Sequence, residues 1–114
     1  MTIQQREALD AFVMCVRTHF GERLRDIFVF GSRARGDARS DSDIDLAIII
    51  EDGDWDFWQE KLRLSDLSYD ALVAADLLIQ AIPISQSDWQ SETTSREAAY
   101  LFAARRDAKP LDKL

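Results

Sequence analysis

Phe30-Gly31-Ser32-Arg33-Ala34-Arg35-Gly36-Asp37, followed after four residues by Ser42-Asp43-Ile44-Asp45-Leu46-Ala47-Ile48, is the stretch that decides how this chain folds. Just before it, Asp26-Ile27-Phe28-Val29-Phe30 is rich in β-branched and aromatic residues and stops at a glycine, which predicts a short strand buried on both faces. Ile44 to Ile50 is a second run of the same kind, stopped by Glu51-Asp52-Gly53-Asp54. The 13 residues between the two runs, Gly31 to Asp43, are too many for a tight hairpin turn and enough for a turn of helix plus a loop. The connection itself is therefore a candidate site.

Asp43 and Asp45 stand at positions i and i+2 of the second strand, so both side chains point to one face. They present hard oxygen ligands side by side, a pair suited to one or two Mg²⁺ ions that bridge it to a nucleotide's phosphates. If the two strands are antiparallel neighbours, the Gly31-Ser32 corner sits beside the aspartates. Gly31 permits a sharp turn and a close approach to phosphate, while Ser32 offers a hydroxyl and opens a short helix whose free N–H groups attract anions. Arg33 and Arg35 add positive charge to the same cradle.

Outward from this centre the chain alternates helices and strands. Thr2 and Gln5 have the form of a capping box, and Leu9, Phe12, Val13, Val16 and Phe20 recur at helical spacing before Gly21, predicting a helix from Ile3 to His19. After the second strand, Asp54 is a candidate cap for a helix from Trp55 to about Ala74. Trp58, Leu62, Tyr69 and Val73 share one of its faces, and a break is expected around Ser65 to Ser68. Leu77 to Ile82 reads as a third strand that Pro83 should end. Ser87 or Ser95 starts a last helical segment that includes Ala98, Tyr100, Leu101, Phe102 and Ala104. The order is α, β, short α, β, α, β, α, without repeat or linker, which predicts a single α/β domain over residues 1–114.

Of the 114 residues 46% are hydrophobic and 31% charged, a composition that excludes disordered and fibrous classes. Fourteen Lys and Arg against 21 Asp and Glu leave a net charge of −7, which disfavours broad nucleic-acid binding, since that draws most of its free energy from neutralised phosphates. The longest apolar run, Leu46 to Ile50, is far below the roughly 20 residues of a membrane span, and no basic-then-apolar leader opens the chain. With its single cysteine, Cys15, the chain is expected in the reducing cytoplasm. His19 falls in the last turn of the first helix, where it complements the helix dipole. Trp55, Trp58 and Trp89 read as core or domain-edge residues, and a tryptophan left exposed would point to a partner surface.

The Gly31-Ser32 pair, the ten-residue spacing, the Asp43-Ile44-Asp45 pair and the strand-like flanks together resemble the signature of the polymerase-beta-like nucleotidyltransferase superfamily. More narrowly they resemble the minimal nucleotidyltransferase group, small antitoxin proteins often paired with a HEPN-domain toxin. The resemblance covers about 25 residues directly. It implies an α/β fold with a small mixed β-sheet flanked by helices, and transfer of a nucleoside monophosphate from an NTP, ATP foremost, to a hydroxyl, with Mg²⁺ held by Asp43 and Asp45 and pyrophosphate leaving. Such proteins carry a third carboxylate on the next core strand, and Asp76 is the candidate metal ligand and base; a register that puts Gln80 there instead removes that base.

Since 114 residues leave no domain to grip an acceptor, the expected acceptor is recognised by a HEPN-domain partner or within a homo-oligomer. Two alternatives stay open: a catalytically inactive module of the same fold that neutralises a HEPN partner by binding, and a small-molecule nucleotidyltransferase.

Overall fold

The computed structural model describes residues 1–35, 43–91 and 99–113. Helix α1 spans Ile3–Phe20 and leads through a 3-10 turn into strand β1, Leu24–Phe30. The short helix α2, Gly31–Arg35, precedes strand β2, Ile44–Ile50. Helix α3, Phe57–Ala75, connects to strand β3, Ile79–Ser85, followed by α4, Gln86–Gln90, α5, Ala99–Asp107, and a two-residue strand β4, Lys109–Pro110. The strands form one mixed sheet in the order β3-β2-β1-β4: β1 is antiparallel to β2 and to β4, and β2 is parallel to β3.

Strand alternation divides the core in two. Ile44, Leu46, Ile48 and Ile50 of β2 join Ile27, Val29, Ile79 and Ala81 on one face, under Leu9, Phe12 and Val16 of α1 and Leu64 and Ala71 of α3. Ala47 and Ile49 point the other way, toward Ile84, Leu101, Phe28 and Trp89. Strand β2 is thus enclosed from both sides, which explains its uninterrupted apolar run. Each of its fully buried isoleucine and leucine side chains contributes about 2 kcal/mol in removal of apolar surface from water.

The predicted start of α1 is confirmed in detail. The Thr2 hydroxyl accepts from Gln5 N at 3.0 Å and Thr2 N donates to Gln5 Oε1 at 3.2 Å, while Gly21, at φ +58°, ends the helix. Four expectations need correction. Asp56, not Asp54, caps α3, its carboxylate accepting from Gln59 N at 2.8 Å. The helix runs through Ser65 to Ser68 without a break, the Ser68 hydroxyl donating to Ser65 O at 2.8 Å within the helix itself. Pro83 lies inside β3 instead of ending it: β3 is the sheet's edge strand, where a residue without an N–H costs no ladder bond on the open side. Finally, α4 starts at Gln86 behind Ser85, whose hydroxyl accepts from Asp88 N at 3.4 Å. Ser95 and Ala98 lie outside the described residues. Strand β4 carries no sequence signal of its own and exists through pairing with Phe28 and Val29.

Candidate active site

The antiparallel register sets Phe30 opposite Asp45, and the parallel one sets Asp45 beside Gln80. The last residue of β1 therefore brings Gly31 directly against the acidic end of β2. Gly31 has φ +72°, and a Cβ built there would overlap Oδ2 of Asp45 and meet its Cγ at 3.4 Å. Glycine is required twice, by the left-handed backbone and by the space the carboxylate occupies. The corner and the aspartate pair converge, as the strand pairing predicts. Asp43 and Asp45 share the sheet face of Ala47 and Ile49, on the opposite side from α1 and α3.

Both aspartates are half-buried. Burial raises the Asp45 pKa above its usual 3.8, the adjacent negative charge of Asp43 raises it further, and the Arg35 guanidinium opposes both. A half-buried Asp45 carboxylate with a second carboxylate beside it is a site short of positive charge. Asp43 is oriented by Gln80, whose Nε2 donates to Asp43 Oδ2 at 2.7 Å. The oxygen-only donor set of the two carboxylates suits a hard divalent cation that carries other oxygen ligands, such as phosphates.

Asp76 is not brought into this group. It forms the C-cap of α3 with φ 53° and ψ 39°, its N–H donating to Ala71 O and Leu72 O, and it is exposed three residues ahead of β3. Among the described residues no three acidic, cysteine or histidine side chains come together as a metal-binding group. Gln80 is the β3 residue at the level of the pair. The αL turn at the helix end explains the difference: it uses Asp76 to leave the helix, and the strand begins only at Ile79.

Arg35 reaches to α5, where its Nη1 lies 2.9 Å from Oδ2 of Asp107, while Arg106 Nε stands 3.3 Å from Oδ1 of the same carboxylate. These guanidinium hydrogen bonds hold Asp107 below the ordinary 3.8. Nothing in the sequence singled out Asp107, which lies 72 positions from its partner. Arg33 is half-buried in α2. The Ser32 side chain and the loop residues 36–42, with Asp37, Arg39 and Asp41, lie outside the described residues. His19 pairs with Glu60 of α3 at 3.1 Å, joining the two helices on the face away from the aspartates.

A glycine corner packed against a carboxylate pair on a mixed sheet defines the class of proteins that handle metal-bound nucleoside phosphates. The comparisons narrow it: the family described as Polymerase beta, Nucleotidyltransferase matches residues 19–95, and the chain belongs to this family. A provisionally named protein adenylyltransferase of Methanocaldococcus jannaschii is 32% identical over 84 residues, 74% of this chain and 77% of its own length. The crystal structure of a provisionally named nucleotidyltransferase from Sulfolobus solfataricus superposes with a TM-score of 0.59 at 22% identity, over 75% of this chain and 71% of that one. The Elizabethkingia meningoseptica cyclic dinucleotide synthase CdnE, solved with GTP and Apcpp, gives a TM-score of 0.53 at 18% identity over 74% of this chain and 38% of that one. Both structures share the fold with this chain. Among the described residues no helix is long and apolar enough to cross a membrane.

Proposed function

We propose that this chain is an adenylyltransferase-like enzyme that moves AMP from ATP onto a hydroxyl of a partner protein, in the cytoplasm, as the antitoxin of a HEPN-domain toxin. The observation that carries the transfer reading is the convergence of Gly31, Asp43 and Asp45. In the reaction the acceptor oxygen bonds to the α-phosphorus, the bond from that phosphorus to the bridging oxygen breaks, pyrophosphate leaves and the hydroxyl proton is released.

Asp43 and Asp45 are the residues that would hold Mg²⁺, which when bound neutralises charge on the triphosphate and the departing pyrophosphate. Gly31 lets the backbone pass close to phosphate. Gln80 fixes one Asp43 oxygen and so pre-orients the pair before substrate arrives. Ser32 and Arg33 belong to the same corner and are assigned to phosphate binding, with Arg35 moderating the negative charge around Asp45. Adenine and the protein acceptor are supported by the 32% identical relative and its name, and the HEPN partner by the resemblance of the Gly31 to Asp45 motif to the minimal nucleotidyltransferase group.

One observation favours a second reading. With Gln80 at the level of the pair and Asp76 spent as a helix cap, that reading makes the chain a binding module that has kept the fold and lost the chemistry. Labelled ATP, Mg²⁺ and the product of the neighbouring gene separate the two. Transfer of label that disappears in Asp43→Asn and Asp45→Asn supports the enzyme. Absence of transfer, with the aspartate variants still binding and neutralising the partner, supports the module.

A further inference from the structure

The face of α3 turned away from the sheet carries two pairs of large apolar side chains, one on either side of Ser65 and Asp66. Trp58 is 68% exposed, Leu62 65%, Tyr69 62% and Val73 67%. At about 100° per residue these four lie within roughly 60° of one another, opposite Leu64, Ser68 and Ala71, which face the core. Four large apolar side chains so exposed on one helix face, in a chain of net charge −7, mark a contact surface rather than a solvated helix face.

The stripe reads the same in both directions. Leu62 and Tyr69 are equidistant from the midpoint between Ser65 and Asp66, and so are Trp58 and Val73. A second copy turned end for end sets Trp58 against Val73 and Leu62 against Tyr69, the self-complementarity a two-fold contact demands. Ser65, small and exposed, lets the helices approach at the centre. Arg63, Asp66 and Asp70, all exposed, border the stripe along one flank. About a two-fold axis like flank meets like flank: Arg63 falls along the helix between Asp66 and Asp70 of the second copy, about 3 Å from the level of each, while Asp66 lies about 1.5 Å from the level of its own mate, a like-charge contact that the two Arg63 side chains bracket. Among the described residues no ion pair engages these three.

We propose that this face of α3 is the contact between two copies of the chain, packed antiparallel about an axis between Ser65 and Asp66. The inference stands apart from the transfer reading, because α3 covers the sheet face opposite Asp43 and Asp45 and the dimer leaves both aspartate pairs open.

Sedimentation equilibrium of the full chain over a concentration series tests it, with circular dichroism to confirm folding of each variant. The wild type is expected to show a monomer–dimer equilibrium, and Leu62→Asp to stay monomeric. Arg63→Asp and the double variant Asp66→Arg, Asp70→Arg should each weaken self-association about tenfold or more, since each places like charges across the axis. Mixed together, these two should form a heterodimer, because every pair across the axis, including the Asp66 pair that is like-charged in the wild type, is then opposite in charge. A wild type that is monomeric throughout, whether or not another protein occupies the stripe, overturns the proposal, as does a dimer indifferent to these substitutions or a charge-swapped mixture that does not pair.

Discussion

Gly31 adopts φ +72° while the Asp45 carboxylate fills the space a side chain there would take. Gly31→Ala is therefore expected to lower stability by about 1–2 kcal/mol through backbone strain alone and by more through displacement of Asp45. Chemical denaturation measures the first effect, and loss of the Mg²⁺-dependent rise in melting temperature reports the second. Gln80 offers the complementary change. Gln80→Glu adds a carboxylate beside Asp43, so the metal-free protein should melt lower and bind Mg²⁺ about tenfold more tightly, read by calorimetric titration. The aspartate pair was legible in the sequence because alternation along a strand needs no tertiary information. Its third neighbour was not: choosing between Asp76 and Gln80 required knowing where a helix ends, and a left-handed cap moves that point by several residues.

Helix caps and clamps act at the level of whole elements. Asp56 accepts from Gln59 N, and Asp56→Ala should cost about 1 kcal/mol in denaturation free energy with the site unaffected. The Arg35–Asp107 pair ties α2, which follows the glycine corner, to α5. Its pH dependence has a definite sign: the Asp107 pKa is depressed in the folded chain, so its contribution is present above the unfolded value and is lost as pH falls through the folded one. Thermal melts on the acid side of pH 3.8 should accordingly separate wild type from Asp107→Asn least, and melts at neutral pH most. Periodicity identified α1 correctly, down to its capping box, yet on α3 the face of Trp58 and Tyr69 is the exposed one and Leu64, Ser68 and Ala71 face inward. Both faces of that helix carry apolar residues, so spacing alone could not say which one meets the sheet.

For the molecule as a whole, a net charge of −7 surrounds a site that is itself short of positive charge. Duplex DNA at physiological salt should not be retained by the protein in a filter-binding assay, whereas Mg²⁺ should raise the wild-type melting temperature and leave Asp43→Asn unmoved. The glycine turn at Gly31, the carboxylate pair on one strand face and the strands on either side followed from the sequence by itself, because each depends on residues near one another in the chain and on a backbone period of two or 3.6. The tolerance of β3 for Pro83, the pairing that creates β4, the Arg35–Asp107 clamp and the placement of Gln80 beside Asp43 were decided only in the tertiary structure. Each joins residues distant in sequence, and strand register, which no local pattern carries, determines which of them meet.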